Sequence, residues 1–110
     1  MVNPYLLLPM AEAAFSTDQY TKTDLVRGGT LFAGLNCFEP GQDQAVHTHR
    51  GADKLYLILS GKARMTVGDH QFEASVGQLV WAPAEVPHGV DQALERTVML
   101  IALAPPPRRN

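Results

Sequence analysis

The sequence predicts an all-β domain, a sandwich or a closed barrel, and three observations lead there. Nine glycines and eight prolines punctuate 110 residues between short apolar runs, the spacing of many short strands joined by turns. The run KLYLILS at 54–60 is apolar on both faces, with Leu55, Leu57 and Leu59 alternating with Tyr56 and Ile58. A strand buried on both sides needs a second layer over it, or a partner subunit. Helical character is confined to MAEAAF at 10–15, which follows a proline and is too short for more than one turn.

The elements follow in order. Residues 1–22 form an N-terminal arm and first-strand region, 23–104 the barrel, and 105–110 a Pro/Arg tail. Strands are expected at 24–27, 30–39, 45–48, 54–60, 62–67, 70–75, 79–82 and 96–104. Turns fall at Gly28-Gly29, Pro40-Gly41, Ser60-Gly61, Gly68-Asp69 and Val76-Gly77, each with a residue that tolerates positive φ or fixes φ. The 62–75 segment reads as a hairpin around Gly68-Asp69. Pro105, Pro106 and Pro107 lack the donor a central strand requires, so the tail stays outside the sheets.

Composition excludes several classes of function. Nine basic and eleven acidic side chains leave a net charge of −2, and nucleic-acid binders usually carry a basic patch that neutralises phosphates. Arg108 and Arg109 in the tail are too few to make one. No apolar run approaches the roughly 18–20 residues of a membrane span. The apolar start MVNPYLLLPM has no cationic n-region and is broken by Pro4 and Pro9, unlike a signal peptide. Cys37 is the single cysteine, so no intrachain disulfide forms, and a cytoplasmic location is expected. Cys37 itself reads as a buried, unreactive strand residue.

Of four histidines, three stand out. His47 and His49 form an i, i+2 pair in an extended segment. On a strand both imidazoles share one face, separated by two rises of roughly 3.3 Å, which lets two rings converge on one ion. His88 follows the turn-rich PAEVP at 83–87 and joins them only if the fold brings it there. His70 beside the Gly68-Asp69 turn reads as a solvent-exposed hairpin residue.

The spacing Gly41-x5-His47-x-His49, followed by a strand and Gly61, resembles the first motif of the cupin superfamily. Gly77-x5-Pro83-x-Glu85-x2-His88 resembles the second. The spacer of 15 residues between them (62–76) looks like that of small single-domain bacterial cupins. The resemblance implies a double-stranded β-helix, or jelly-roll, barrel. It also implies a divalent transition metal (Fe, Mn, Ni, Cu or Zn) on His47, His49 and His88, and a homodimer. It does not imply one activity, because this barrel hosts isomerases, epimerases, oxygenases and binding proteins.

Two departures from the pattern bear on the site. The family's fourth ligand is a glutamate, and counting back from Gly61 that position holds Lys54. A protonated ammonium cannot ligate a metal. Asp53 is the neighbouring acid, but strand alternation turns it to the other face unless a bulge intervenes. Three arrangements remain open: three histidines with waters completing the shell, Asp53 swung in as a fourth ligand, or a metal-free site with Lys54 anchoring an anionic ligand. Lys54 can also be a solvated strand-end lysine. In the second motif the usual glycine is Glu85, so that turn forms without its most permissive residue.

Alternation places Tyr56, Ile58, Met65, Phe38, Phe72 and Trp81 on faces that could line the barrel, most of them as plain core. Tyr56 and Lys54 are the candidate catalytic groups for proton transfer, Tyr56 because a buried hydroxyl needs a partner and Lys54 because burial shifts its pKa. The expected partner is a small-molecule ligand. Enzyme and non-catalytic binding or sensing module both remain open. The two-faced apolar strands and the apolar residues 5–8 predict a two-fold homodimer, since a lone small barrel would expose a large hydrophobic face.

Overall fold

A computed structural model describes residues 3–107 of the chain. Arg108 and Arg109 of the expected basic tail lie outside the described residues. Nine strands follow a four-residue 3-10 turn, Pro9–Glu12: β1 Thr21–Arg27, β2 Phe32–Phe38, β3 Gln44–His47, β4 Asp53–Ser60, β5 Lys62–Val67, β6 His70–Ser75, β7 Leu79–Ala82, β8 His88–Ala93 and β9 Thr97–Ala104. One sheet runs β1-β2-β9-β4-β7, the other β3-β8-β5-β6. All described pairings are antiparallel. The two sheets face each other as a jelly-roll barrel.

Alternation decides which side chains fill it. Across β2-β9-β4 the register stacks Phe32, Leu103 and Lys54 in one row, Gly34, Ile101 and Tyr56 in the next, and Asn36, Met99 and Ile58 in a third. These rows face inward. Phe32, Phe38, Tyr56, Ile58, Met65, Met99, Ile101 and Leu103 form the core with residues of the facing sheet. On the outer face Leu35, Cys37 and Val98 are covered by Ala13 and Phe15 of the N-terminal arm. Cys37 is accordingly buried and free.

Several strand boundaries differ from expectation. β1 begins at Thr21 rather than 24, because Thr21, Lys22 and Thr23 also pair along β2, opposite Cys37, Asn36 and Leu35, and β2 begins at Phe32 rather than 30, because the Gly28 N–H donates to the Leu31 carbonyl and closes the turn between them. β8 is absent from the expected strands. Its sequence HGVDQA is polar and has no clear alternation. It is a strand because it lies between β3 and β5, which take its backbone hydrogen bonds, and because Thr66 donates to the Asp91 carboxylate at 2.7 and 2.9 Å. The 62–75 hairpin is as expected, with Val67 opposite His70 and Gly68 at φ 58°. His70 at its tip is exposed.

Candidate metal centre

Two strands and one loop bring the three histidines together. His47 ends β3, and its Cα pairs with that of His88 at the start of β8. Gly89 makes this approach possible: a Cβ there would lie 2.7 Å from the Gln44 carbonyl and 2.9 Å from the Val46 nitrogen, both on β3. His49 is not on a strand, so the pair does not share one strand face as expected, and β3 ends at His47 rather than 48. The chain leaves the sheet after His47 and turns through Gly51 at φ 68°. The loop is held against the second motif, where the Glu85 N–H donates to the His49 carbonyl at 3.0 Å and the Gly51 N–H donates to the Glu85 carboxylate at 2.9 Å.

The ring centroids lie 4.8 Å (His47–His49), 4.5 Å (His47–His88) and 5.2 Å (His49–His88) apart. One nitrogen from each falls within 4.8 Å of the others. His47 Nδ1 lies 2.9 Å from the Ala45 carbonyl, and His88 Nδ1 lies 2.9 Å from the Val86 carbonyl. A carbonyl only accepts, so both Nδ1 atoms carry the proton and both Nε2 atoms keep a lone pair. Such backbone contacts fix the tautomer and ring orientation of ligating histidines. Burial lowers the pKa of all three, and lowers that of His49 to about 4, with the charge of Lys54 the next contribution there. The rings are therefore neutral near pH 7, as metal ligation requires.

The residues fit a metal. His88 Nε2 is buried and has no hydrogen-bond partner, a costly state for a polar atom unless something occupies its lone pair. His47 and His49 present their Nε2 atoms 3.2 Å apart. Two nitrogens each about 2.1 Å from a shared ion lie about 3–3.4 Å apart at angles between octahedral and tetrahedral.

Lys54 is 2% exposed and points into the barrel, so it is not a solvated strand-end lysine. Its Nζ sits 4.4 Å from the centre of the Tyr56 ring. Burial, then the nearby charge of Lys22, lowers its pKa to about 8. Asp53 has the opposite fate. It is exposed, and its carboxylate accepts the Ala84 N–H at 2.9 Å. No bulge intervenes at this end of β4, so alternation holds and Asp53 stays outside the site. Tyr56 is fully buried, and its hydroxyl donates to Gln44 Oε1 at 2.9 Å. Burial, followed by Tyr20, raises its pKa well above the ordinary value. It is a neutral donor at any physiological pH.

The cavity beside the histidines has a volume of about 490 Å³. Most of the candidate lining residues are core, as expected, but none of the six borders this cavity. Tyr56, Ile58, Met65 and Phe38 are fully buried core. Trp81 is 53% exposed on the outer face, and with Phe72 it borders a separate shallow depression. The cavity wall instead includes Tyr20, Lys22, Asn36, Gln44 and Lys54. Gln44 escaped sequence reading because it sits three residues before His47, where strict alternation puts it on the opposite face. A register shift between Gln44 and His47 turns both inward. Asn36 also escaped it, although alternation puts it on the same face as Phe38, two residues away.

The family pattern described as a cupin domain matches residues 34–103. The chain belongs to the cupin family. An uncharacterised Streptomyces coelicolor protein, SCO3923, is 28% identical over 96 residues, spanning 87% of this cupin and 89% of that protein. Among solved structures, TT1209 from Thermus thermophilus superposes with a TM-score of 0.87 at 29% identity, covering 93% of this cupin and 98% of that chain. KdgF from Halomonas sp. superposes with a TM-score of 0.77 at 21% identity over 84% of this cupin and 83% of that chain, a likeness of fold alone. Among the described residues no helix is long and apolar enough to cross a membrane.

Proposed function

We propose that this cupin holds a divalent transition metal on His47, His49 and His88 and binds or transforms a small organic molecule in the adjoining cavity. The partnerless Nε2 of His88, aimed at the other two rings, carries the reading. A bound Fe, Mn, Ni, Cu or Zn ion would supply Lewis-acid or, for a redox metal, oxygen chemistry of the isomerase or oxygenase kind. The chain's own residues supply the rest. Backbone carbonyls orient two of the imidazoles, and the apolar barrel keeps bulk water from the deep side. Lys54, with its pKa lowered to about 8, can hold or release a proton near neutral pH. Tyr56 can donate a hydrogen bond but not act as a phenolate, and at rest it is engaged with Gln44.

The test is metal content, by inductively coupled plasma mass spectrometry, of protein purified without added metal or chelator. Near-stoichiometric metal in the wild type and its loss in His49→Ala is the expected result. Metal that stays well below stoichiometry after soaking in these ions overturns the metal reading. A second reading then stands, a metal-free binding or sensing cupin in which Lys54 anchors an anionic ligand. Its support is the burial of that ammonium without an ion pair among the described residues.

A cytoplasmic homodimer completes the proposal. The lone buried cysteine fits a reducing compartment. The near-neutral charge balance disfavours a nucleic-acid partner. Tyr5, Leu6 and Leu8 of the arm and Leu79 and Trp81 of β7 are all more than half exposed, apolar side chains that a second copy would cover. A monomeric mass by light scattering during size-exclusion chromatography would rule the dimer out.

A further inference from the structure

We propose that the barrel wall facing the histidines, built by Asn36, Lys54 and Lys22, is a recognition subsite for a small hydroxycarboxylate. The proposal rests on the reading of this cavity as a small-molecule site, though not on the metal.

Asn36 is 1% exposed on the inner face of β2, and neither Oδ1 nor Nδ2 has a hydrogen-bond partner. A buried amide with both groups unpaired is costly, and it persists where something else satisfies it. Lys54 is 2% exposed on the inner face of β4, two strands away across β9. It makes no ion pair among the described residues. Lys22 stands directly opposite Asn36 in the β1–β2 register. Lys22, Arg27 and Lys54 line the cavity against one carboxylate, that of Asp24. The cavity therefore carries an excess of positive charge from its lysine and arginine side chains, which calls for an anion.

The amide narrows the anion further. A carboxylate has acceptors only, so it can serve the ammonium groups and Asn36 Nδ2 but would oppose Asn36 Oδ1. With the ammonium groups engaged by the carboxylate, a donor close to that carboxylate on the same molecule satisfies Oδ1. An amine would bring a third ammonium toward Lys22 and Lys54. A hydroxyl brings no charge. A cavity of about 490 Å³ holds an acid of this size. Asn36 is closed off from solvent, whereas Lys22 opposite it is exposed on a flexible stem, so Lys22 is the side chain that moves aside for entry.

The matched probes are malate and succinate, which differ by one hydroxyl. Isothermal titration calorimetry is run on chelator-treated protein and repeated after metal loading. Malate is expected to bind at least about tenfold more tightly than succinate, because succinate leaves the Asn36 carbonyl unpaired. Lys54→Met should weaken both acids. Asn36→Leu should equalise them, and Asn36→Asp, which keeps the side-chain shape should the leucine variant fail to fold, should weaken malate by placing a carboxylate against a carboxylate. Equal affinity for the two acids, meaning that water alone serves Asn36, overturns the proposal. So does an absence of binding by either, or an unchanged affinity in Lys54→Met. Malate preference in protein that takes up no metal leaves this proposal standing and removes the metal reading. Stoichiometric metal without malate binding does the reverse.

Discussion

The carboxylate of Glu85 accepts the backbone N–H of Gly51 at 2.9 Å, tying the second cupin motif to the loop that carries His49. Glu85 does this from φ 70°, the left-handed region that favours glycine. Its own N–H donates to the His49 carbonyl, and on the neighbouring residue the Ala84 N–H donates to Asp53. Three hydrogen bonds thus bridge the two motifs.

Glu85 gives a paired prediction. Glu85→Ala keeps the backbone strain and loses the side-chain bond, so it should lower stability by about 1–2 kcal/mol. Glu85→Gly loses the same bond but relieves the strain, and should be near neutral. Both should loosen metal retention, because one of the three bonds that hold the His49 loop is lost in each. Urea denaturation and a metal-competition assay on the two variants separate the effects.

Acid should destabilise the metal-free protein. His49 has its pKa lowered to about 4 in the fold and near 6.5 once unfolded. Between those values the unfolded chain binds more protons, so stability rises with pH across pH 4 to 6.5 and falls as pH drops through that window. His47 and His88 are shifted in the same direction and add to the slope. Thermal melts at intervals from pH 4 to 7 should show this slope, and His49→Ala should flatten part of it.

Lys54 predicts a second window at alkaline pH. Its pKa is about 8 folded against 10.5 unfolded, so stability should rise again between those values as the buried ammonium loses its proton. Lys54→Met fills similar volume without charge. It should raise stability at pH 7 by about 1–3 kcal/mol and abolish the alkaline rise. A destabilised Lys54→Met at pH 7 would mean that the ammonium has a stabilising partner.

Tyr56→Phe removes the donor to Gln44 Oε1 and leaves that oxygen unpaired inside the barrel. A loss of about 1–2 kcal/mol is expected by urea denaturation, with metal content unchanged, because Tyr56 does not touch the three histidine nitrogens. Loss of metal in this variant would place Tyr56 in the site's architecture through Gln44 rather than beside it.

Turns and long apolar strands were legible from local chemistry. Glycines marked the reversals at 61, 68 and 77, each with positive φ in the fold, and the alternation of β4 placed Lys54 and Tyr56 on one face and Asp53 on the other. The motif spacing named the histidines that the fold gathers. β8 was not legible, because its polar sequence has no pattern of its own and is held as a strand by its neighbours. Nor was the inward turn of Gln44, which depends on a register shift between two strands far apart in sequence.

By itself, then, the sequence determined the all-β class, the turn positions and the identity of the three imidazoles, since the first two depend on residues within a few positions of one another and the third on two short motifs, each readable on its own. Only the tertiary structure decided whether Lys54 lies in water or in the barrel, which wall faces the histidines, and that Asn36 stands there with its amide unpaired. Those outcomes depend on which strand lies opposite which. That pairing is set by burial summed over the whole chain, and no short window of sequence contains it.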